Sequence, residues 1–282
     1  MVKSADGNVV KEKKDVTLFE GKMLERTRTL DYVSRQGLST LTGCDATDLD
    51  LFCLKEIIDN ALDACSNIKS HINIVLNTHD FLTLSVTDDG RGLPQSHISK
   101  ISDYDRLYST KHHNKIPTRG ELGQALKVIM GIPYALAEEK NIHYPNPPIL
   151  IRSRGKEHKI VLRINRRTGD VKATVETENA LDPETQKGTE VAITLPIIEK
   201  YWGWRNEYIQ LLKGYALFNP ETSLHITLNH KENIPYEIEY PSIGEREKSF
   251  SGRSSVTGSE KPNLSTVSGL SSEKKMKRLQ IL

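Results

Sequence analysis

Residues 51–66 place apolar side chains at Leu54, Ile57, Ile58, Ala61, Leu62 and Cys65. That spacing predicts a helix with one face turned to a core. Two alternating runs follow, Ile72–Leu76 and Thr83–Thr87, which predict strands joined by a turn at His79-Asp80. The second run leaves directly into Asp88-Asp89-Gly90-Arg91-Gly92-Leu93-Pro94, a tight turn at a strand end. In this order the pieces bring together a carboxylate (Glu56), a side-chain amide (Asn60) and a second carboxylate (Asp88). A nucleotide and its metal could sit against such a set.

The residue types carry the chemistry. Glu56 and Asn60 are four apart and share a helix face. A carboxylate there can orient a water or take its proton, and an amide oxygen beside it can ligate Mg²⁺, which demands hard oxygen ligands. Asp88 at a strand end can accept a hydrogen bond from an exocyclic amine such as that of adenine. Gly90 and Gly92 let the backbone approach a ligand. Arg119-Gly120-Glu121-Leu122-Gly123-Gln124-Ala125-Leu126-Lys127 runs from a long polar loop into a helix. Backbone N–H groups at such an entry favour phosphate oxygens, Lys127 one turn in could add charge, and the loop before it could close as a lid. Lys187-Gly188-Thr189-Glu190-Val191 opens a strand whose Thr189 hydroxyl could support the water or Asp88. Each piece alone also reads as an ordinary surface helix or turn; the order of the four carries the argument. No P-loop string, G-x-S-x-G elbow or H-E-x-x-H helix is present. His112 and His113 are adjacent and read as solvated loop residues, and Trp202 and Trp204 as packing near a helix start.

Further along, helices are expected over 95–108, 123–139 and about 203–217, with a polar loop over 109–122. Strands are expected at Ile149–Arg152, His158–Asn165, Asp170–Thr177, Thr189–Leu195 and Ser223–Leu228. Arg167-Thr168-Gly169-Asp170 reads as a hairpin turn. Residues 16–50 read as a polar, mixed segment ending in a helix start at Asp48 or Asp50. From Pro241 to Ser272 the sequence holds ten serines and four glycines, the composition of a linker or disordered tail. The expected organisation is a disordered segment over 1–24, one domain over 25–240 and a tail over 241–282. The last ten residues, EKKMKRLQIL, read as a solvated end rather than a basic amphipathic helix. A net charge of +2 gives no whole-chain basic field that would point to nucleic acid. Three cysteines, Cys44, Cys53 and Cys65, lack metal-ligand spacing and read as reduced thiols in a cytoplasmic protein. No signal peptide and no membrane span are expected.

In order, E-I-I-D-N-A-L-D-A, D-D-G-R-G-L-P, R-G-E-L-G-Q-A-L-K and K-G-T-E-V resemble the four nucleotide-binding motifs of the GHKL ATPases. Within that class, the 107–127 stretch and L-L-K-G-Y-A-L-F-N-P-E-T-S-L look most like the B-type subunit of DNA topoisomerase VI. The resemblance spans roughly residues 25–240. It implies an α/β, two-layer Bergerat fold: a mixed β-sheet with helices on one face. It implies ATP and Mg²⁺ as cofactors and Glu56 as the general base. Asn60 would hold Mg²⁺, and Asp88 would bind the adenine amine on a wall shaped by Gly90 and Gly92. Gly120 and Gly123 would shape the phosphate lid, with Lys111 and Lys127 among the nucleotide-binding residues and Thr189 supporting the adenine site. Ala125 stands where many relatives carry glycine. Relatives also continue into a transducer domain that supplies a lysine to the γ-phosphate, and no such segment is expected after Tyr240.

The resemblance implies an ATPase component acting on DNA next to a separate DNA-cleaving A-type topoisomerase subunit, with nucleotide-dependent homodimers. The alternative is a stand-alone GHKL switch whose lid closure or dimerisation controls a protein partner. A kinase of this class would want a phospho-acceptor histidine upstream, and residues 1–50 contain none.

Overall fold

The computed structural model describes residues 28–65, 70–106, 108, 124–179, 187–197, 206–230 and 235–245. The helix expected over 51–66 is α2, Leu49–Ala64. Its buried stripe comprises Leu49, Cys53, Leu54, Ile57, Ile58, Ala61 and Leu62. Burying each such Leu or Ile side chain contributes on the order of 2 kcal/mol. Asp48 is the N-cap without a side-chain cap bond. Asp50, one residue inside the helix, instead accepts from the hydroxyl of Tyr208 in α5 (Asn206–Phe218), and both side chains are buried.

The predicted hairpin is present and longer than the alternating runs alone: β1 spans Ser70–Thr78 and β2 spans Phe81–Asp88. The strands pair antiparallel with Ile74 opposite Val86. The remaining strands are β3 (Ile149–Ser153), β4 (Lys156–Asn165), β5 (Asp170–Asn179), β6 (Thr189–Pro196), β7 (Thr222–His230) and β8 (Tyr236–Tyr240). They form one eight-stranded sheet ordered β5-β4-β3-β6-β2-β1-β7-β8. Among the described residues only β1 and β7 pair in parallel, so the sheet is mixed. A parallel pair needs a crossover, and α5 leads into β7 on that path.

Alternate residues of the central strands fill one side of the sheet. Ile72, Ile74, Leu76, Leu82, Leu84, Val86, Ile149, Ile151, Val191, Ile193, Leu195, Leu224, Ile226 and Leu228 are all buried. Helix α2 covers β1, β2 and β6, helix α4 (Ala125–Glu139) covers β6, and α5 lies beside β7. The opposite face is polar. Arg152 bonds Glu157 at 2.7 Å and Glu190 at 3.0 Å, and Ser85 donates to Glu190 at 2.9 Å. One face covered and one solvated is what the period-2 alternation requires.

Three expectations need correction. The helix over 95–108 is only α3, Gln95–Ile101. It stops where the Ser102 hydroxyl turns back onto the Ile98 carbonyl and the Asp103 carboxylate takes the Asp105 amide, side-chain bonds that compete with helical pairing. The mixed segment before Asp48 holds a 3₁₀ turn at Thr29–Val33 and helix α1, Arg35–Thr42, whose Ser34 hydroxyl caps the Gly37 N–H. Strand β8 has no counterpart in the sequence reading, although Tyr236, Ile238 and Tyr240 alternate with Glu237 and Glu239. After it, Ile243 N donates to Pro220 O and Ser223 donates to Glu245, so residues 241–245 lie back against the end of α5 and β7. No described helix is long and apolar enough to cross a membrane.

Candidate nucleotide-binding site

Helix α2 runs across the sheet with its C-terminal end at the exit of β2. A Cβ on Gly90 would stand 2.7 Å from Ala64 O and 2.8 Å from Asp88 Oδ1, so only glycine allows the helix end and the strand end to meet this closely. Cys65 donates to Asp89 Oδ1 at 3.4 Å at the same junction. At 1.5 Å rise per residue, Asn60 lies about 6 Å back along α2 from Ala64, and Glu56 about 6 Å further. Ala64, Asn60 and Glu56 therefore step back along one face of α2 from the junction with Asp88.

Glu56 is 9% exposed. Its Oε1 accepts from Lys55 Nζ at 2.7 Å. Asn60 Nδ2 donates to the Glu56 carbonyl at 2.9 Å. The amide is thus tied to the helix by its nitrogen end, which turns the hard oxygen end away from that carbonyl.

Asp88 is 6% exposed. Its Oδ1 accepts from Gly90 N at 2.9 Å, and the Thr189 backbone N–H also donates to its carboxylate. Burial pushes its pKa up to about 6; the two amides oppose the rise and the neighbouring Asp89 adds to it. The same burial, with the Asp88 charge next in weight, pushes the Cys65 thiol up to about 12. All three cysteines are free thiols, with Cys53 and Cys65 buried.

Asp88 pairs with Thr189 across β2 and β6, and Ser153 pairs with Thr189 across β3 and β6. That register brings three distant segments into contact. Ser153, fully buried, accepts from Leu93 N at 2.7 Å and donates to Gly188 O at 2.8 Å. The Thr189 hydroxyl lies 3.4 Å from Ser153 Oγ, so Thr189 supports Asp88 through its backbone amide while its side chain faces Ser153. Gly92 has φ +73 and sits against Ser153 and the Gly188 carbonyl. Gly188 has φ +75, and a Cβ there would stand 1.7 Å from Asp88 O. Gly188→Ala is therefore expected to cost several kcal/mol, on the order of 3 or more, in a urea melt. An unchanged midpoint would contradict this packing.

Lys127 is fully buried in α4. Its ammonium donates to the carbonyls of Asp103 and Arg106 and lies 5.8 Å from the Tyr108 ring centroid. Burial pulls its pKa down, opposed by Asp103 and Asp105. Here the lysine fastens the segment after α3 to α4. Lys111, Gly120 and Gly123 lie outside the described residues, as do Trp202 and Trp204. Ser153 and the partners of Glu56 escaped sequence reasoning, because their roles follow from register and helix packing.

The family model for histidine kinase-, DNA gyrase B- and HSP90-like ATPases matches residues 45–199, more than half of the chain. That span contains Glu56, Asn60, Asp88 and Thr189. Among curated proteins the chain is similar to the B-type subunit of type 2 DNA topoisomerase 6 from Methanococcoides burtonii, 25% identical over 192 residues. The match covers 65% of this chain and 29% of that protein, so the chain spans less than a third of the relative's length. Among solved structures it is similar to the N-terminal domain of a DNA repair protein. There the identity is 18% and the TM-score 0.43, with 67% of this chain and 52% of the other covered.

Proposed function

The chain belongs to the histidine kinase-, DNA gyrase B- and HSP90-like ATPases, and on that premise we propose that it binds Mg²⁺-ATP between α2 and the end of β2 and hydrolyses it. Residues 25–240 form the ATP-binding unit in this reading. The observation that carries it is Asp88: a carboxylate kept in a buried position, held by two backbone amides, beside a glycine whose missing Cβ lets the end of α2 close against the strand end. A structural turn does not need a buried charge; recognition of an exocyclic amine does.

The donor set fits the proposed ligands. Asp88 would accept from the adenine amine, on the wall that Gly90, Gly92 and Thr189 build. Asn60 would give Mg²⁺ an amide oxygen. Held there, the ion would offset phosphate charge. Glu56 would accept the proton of the attacking water as general base. Lys111, Lys127, Gly120 and Gly123 would complete the phosphate side; for Lys127 this requires release from the Asp103 and Arg106 carbonyls.

The finer reading is the ATPase component of a type IIB DNA topoisomerase, working on DNA as a nucleotide-dependent homodimer together with a DNA-cleaving A-type subunit. Its support is the curated topoisomerase 6 relative. The β4–β5 hairpin adds to it. Arg163 stands directly opposite Lys172, both exposed, with Arg167 exposed in the turn between them. Like charges facing across a strand pair cost stability, and a polyanion laid over them would remove that cost.

Phosphate release from ATP by the full chain, with and without Mg²⁺ and with and without supercoiled DNA, tests this function. Expected are Mg²⁺-dependent release, its loss in Asn60→Ala, and stimulation by DNA. Equal release in EDTA would overturn the metal role, and release indifferent to DNA would overturn the topoisomerase reading.

A further inference from the structure

The proposed base is held by a chain of contacts. Lys55 Nζ donates to Glu56 Oε1 at 2.7 Å and to Asp59 Oδ2 at 2.9 Å. Asp59 Oδ1 accepts from the Tyr215 hydroxyl at 2.8 Å, and that hydroxyl also lies 3.3 Å from Lys55 O. Tyr215 belongs to α5, so the chain crosses from one helix to another. Asp59 is 6% and Tyr215 9% exposed, whereas the Lys55 side chain is 46% exposed.

We infer that Lys55, Asp59 and Tyr215 are positioning residues that aim the Glu56 carboxylate, so that the seating of α5 on α2 sets the geometry of the hydrolytic step. This rests on the proposed ATP hydrolysis with Glu56 as base. A half-exposed lysine ordinarily wanders among rotamers. Here the ammonium is pinned by Asp59 one turn along the helix, and Asp59 is pinned in turn by a buried hydroxyl from α5. The ammonium occupies one oxygen of Glu56, which leaves the second oxygen to meet a water. Glu56 and Asp59 are three apart on one helix, where like charges face each other; the ammonium bonded to both offsets that repulsion. Tyr215–Asp59 and Tyr208–Asp50 tie α5 to α2; the Lys55–Glu56 bond lies within α2 and joins the proposed base to that junction. The Asn60 amide bonds the carbonyl of Glu56, so the proposed metal ligand and the base share one anchored turn.

The test is steady-state ATP hydrolysis by the full chain, comparing wild type with Tyr215→Phe, Lys55→Met and Lys55→Arg, and repeating Tyr215→Phe in a Glu56→Gln background. Tyr215→Phe removes one oxygen and keeps the ring that packs. Misaiming a reacting group by a fraction of an ångström to an ångström costs roughly ten- to a hundredfold. Tyr215→Phe should accordingly lower kcat about tenfold and Lys55→Met more, each with KM for ATP unchanged. Lys55→Arg should restore most of the rate, and Tyr215→Phe should cost nothing further once Glu56 is glutamine. Wild-type kcat in Tyr215→Phe and Lys55→Met would overturn the inference, as would losses that appear only in KM or that persist undiminished in the Glu56→Gln background. Absence of hydrolysis by wild type, or wild-type hydrolysis by Glu56→Gln, would overturn the assignment of Glu56 itself and this inference with it.

Discussion

Asp88→Asn is expected to weaken ATP binding by roughly thirty- to a hundredfold while raising the stability of the nucleotide-free protein. A hydrogen bond to a charged acceptor is worth about 1.5–3 kcal/mol, which sets the size of the binding loss. The stability gain follows from linkage. Burial lifts the Asp88 pKa from 3.8 to about 6, so the native state holds this proton more tightly than the unfolded chain. The group's contribution is fully present below pH 3.8, fades as pH rises toward 6, and above 6 leaves a cost of about 3 kcal/mol for ionising a buried carboxylate. Asparagine does not ionise, so the variant escapes that cost at neutral pH and should melt a few degrees above wild type. Wild-type ATP binding should strengthen as pH rises through about 6, as the acceptor becomes charged. A variant that melts lower and binds as wild type would make Asp88 a structural turn residue. Thermal melts at about pH 4.5 and 7.5, on either side of the shifted pKa, paired with binding titrations, separate the outcomes.

Glu56→Gln is expected to lower ATP turnover by on the order of a hundredfold or more with nucleotide affinity preserved. General-base catalysis contributes roughly 10²–10⁴-fold, and glutamine keeps the shape while losing the ability to take a proton. The fold should tolerate the change, because Lys55 retains Asp59 at 2.9 Å and an amide oxygen can replace the lost acceptor. Single-turnover hydrolysis beside a binding titration measures both quantities. Undiminished turnover would remove Glu56 from the base role.

Much of the fold was legible because each central strand has one covered face. Alternation in 72–76, 83–87, 149–152, 158–165 and 189–195 maps onto β1, β2, β3, β4 and β6 with ends shifted by a residue or a few. The 3.6-period stripe of α2 was equally plain. Failures occurred where side chains overrule periodicity. Ser102 and Asp103 end α3 early, and α1 lies in a Ser/Thr-rich stretch that masks its single buried face. Together these elements make the mixed-sheet, one-sided Bergerat architecture expected of the four motifs.

The candidate site divides in the same way. Glu56, Asn60, Asp88 and Gly90 are marked by local spacing, since helix period and strand exit are local properties. Ser153 reaches Leu93 across 60 residues and Gly188 across 35, through strand register alone. Tyr215 reaches Asp59 across 156 residues through the packing of α5 on α2. No short-range pattern announces such partners. Lys127 shows the converse: its motif position pointed to phosphate, while its ammonium is bonded to two backbone carbonyls.

The measurement that bears most directly on the central claim is calorimetric titration of the full chain near neutral pH, in Mg²⁺, with non-hydrolysable analogues of ATP and of GTP. Asp88 can accept only from a donor, and guanine presents a carbonyl where adenine presents its amine. The account predicts binding of the ATP analogue and at least about thirtyfold weaker binding of the GTP analogue, set by one lost charged hydrogen bond. Equal affinity for the two, or none for either, would contradict it.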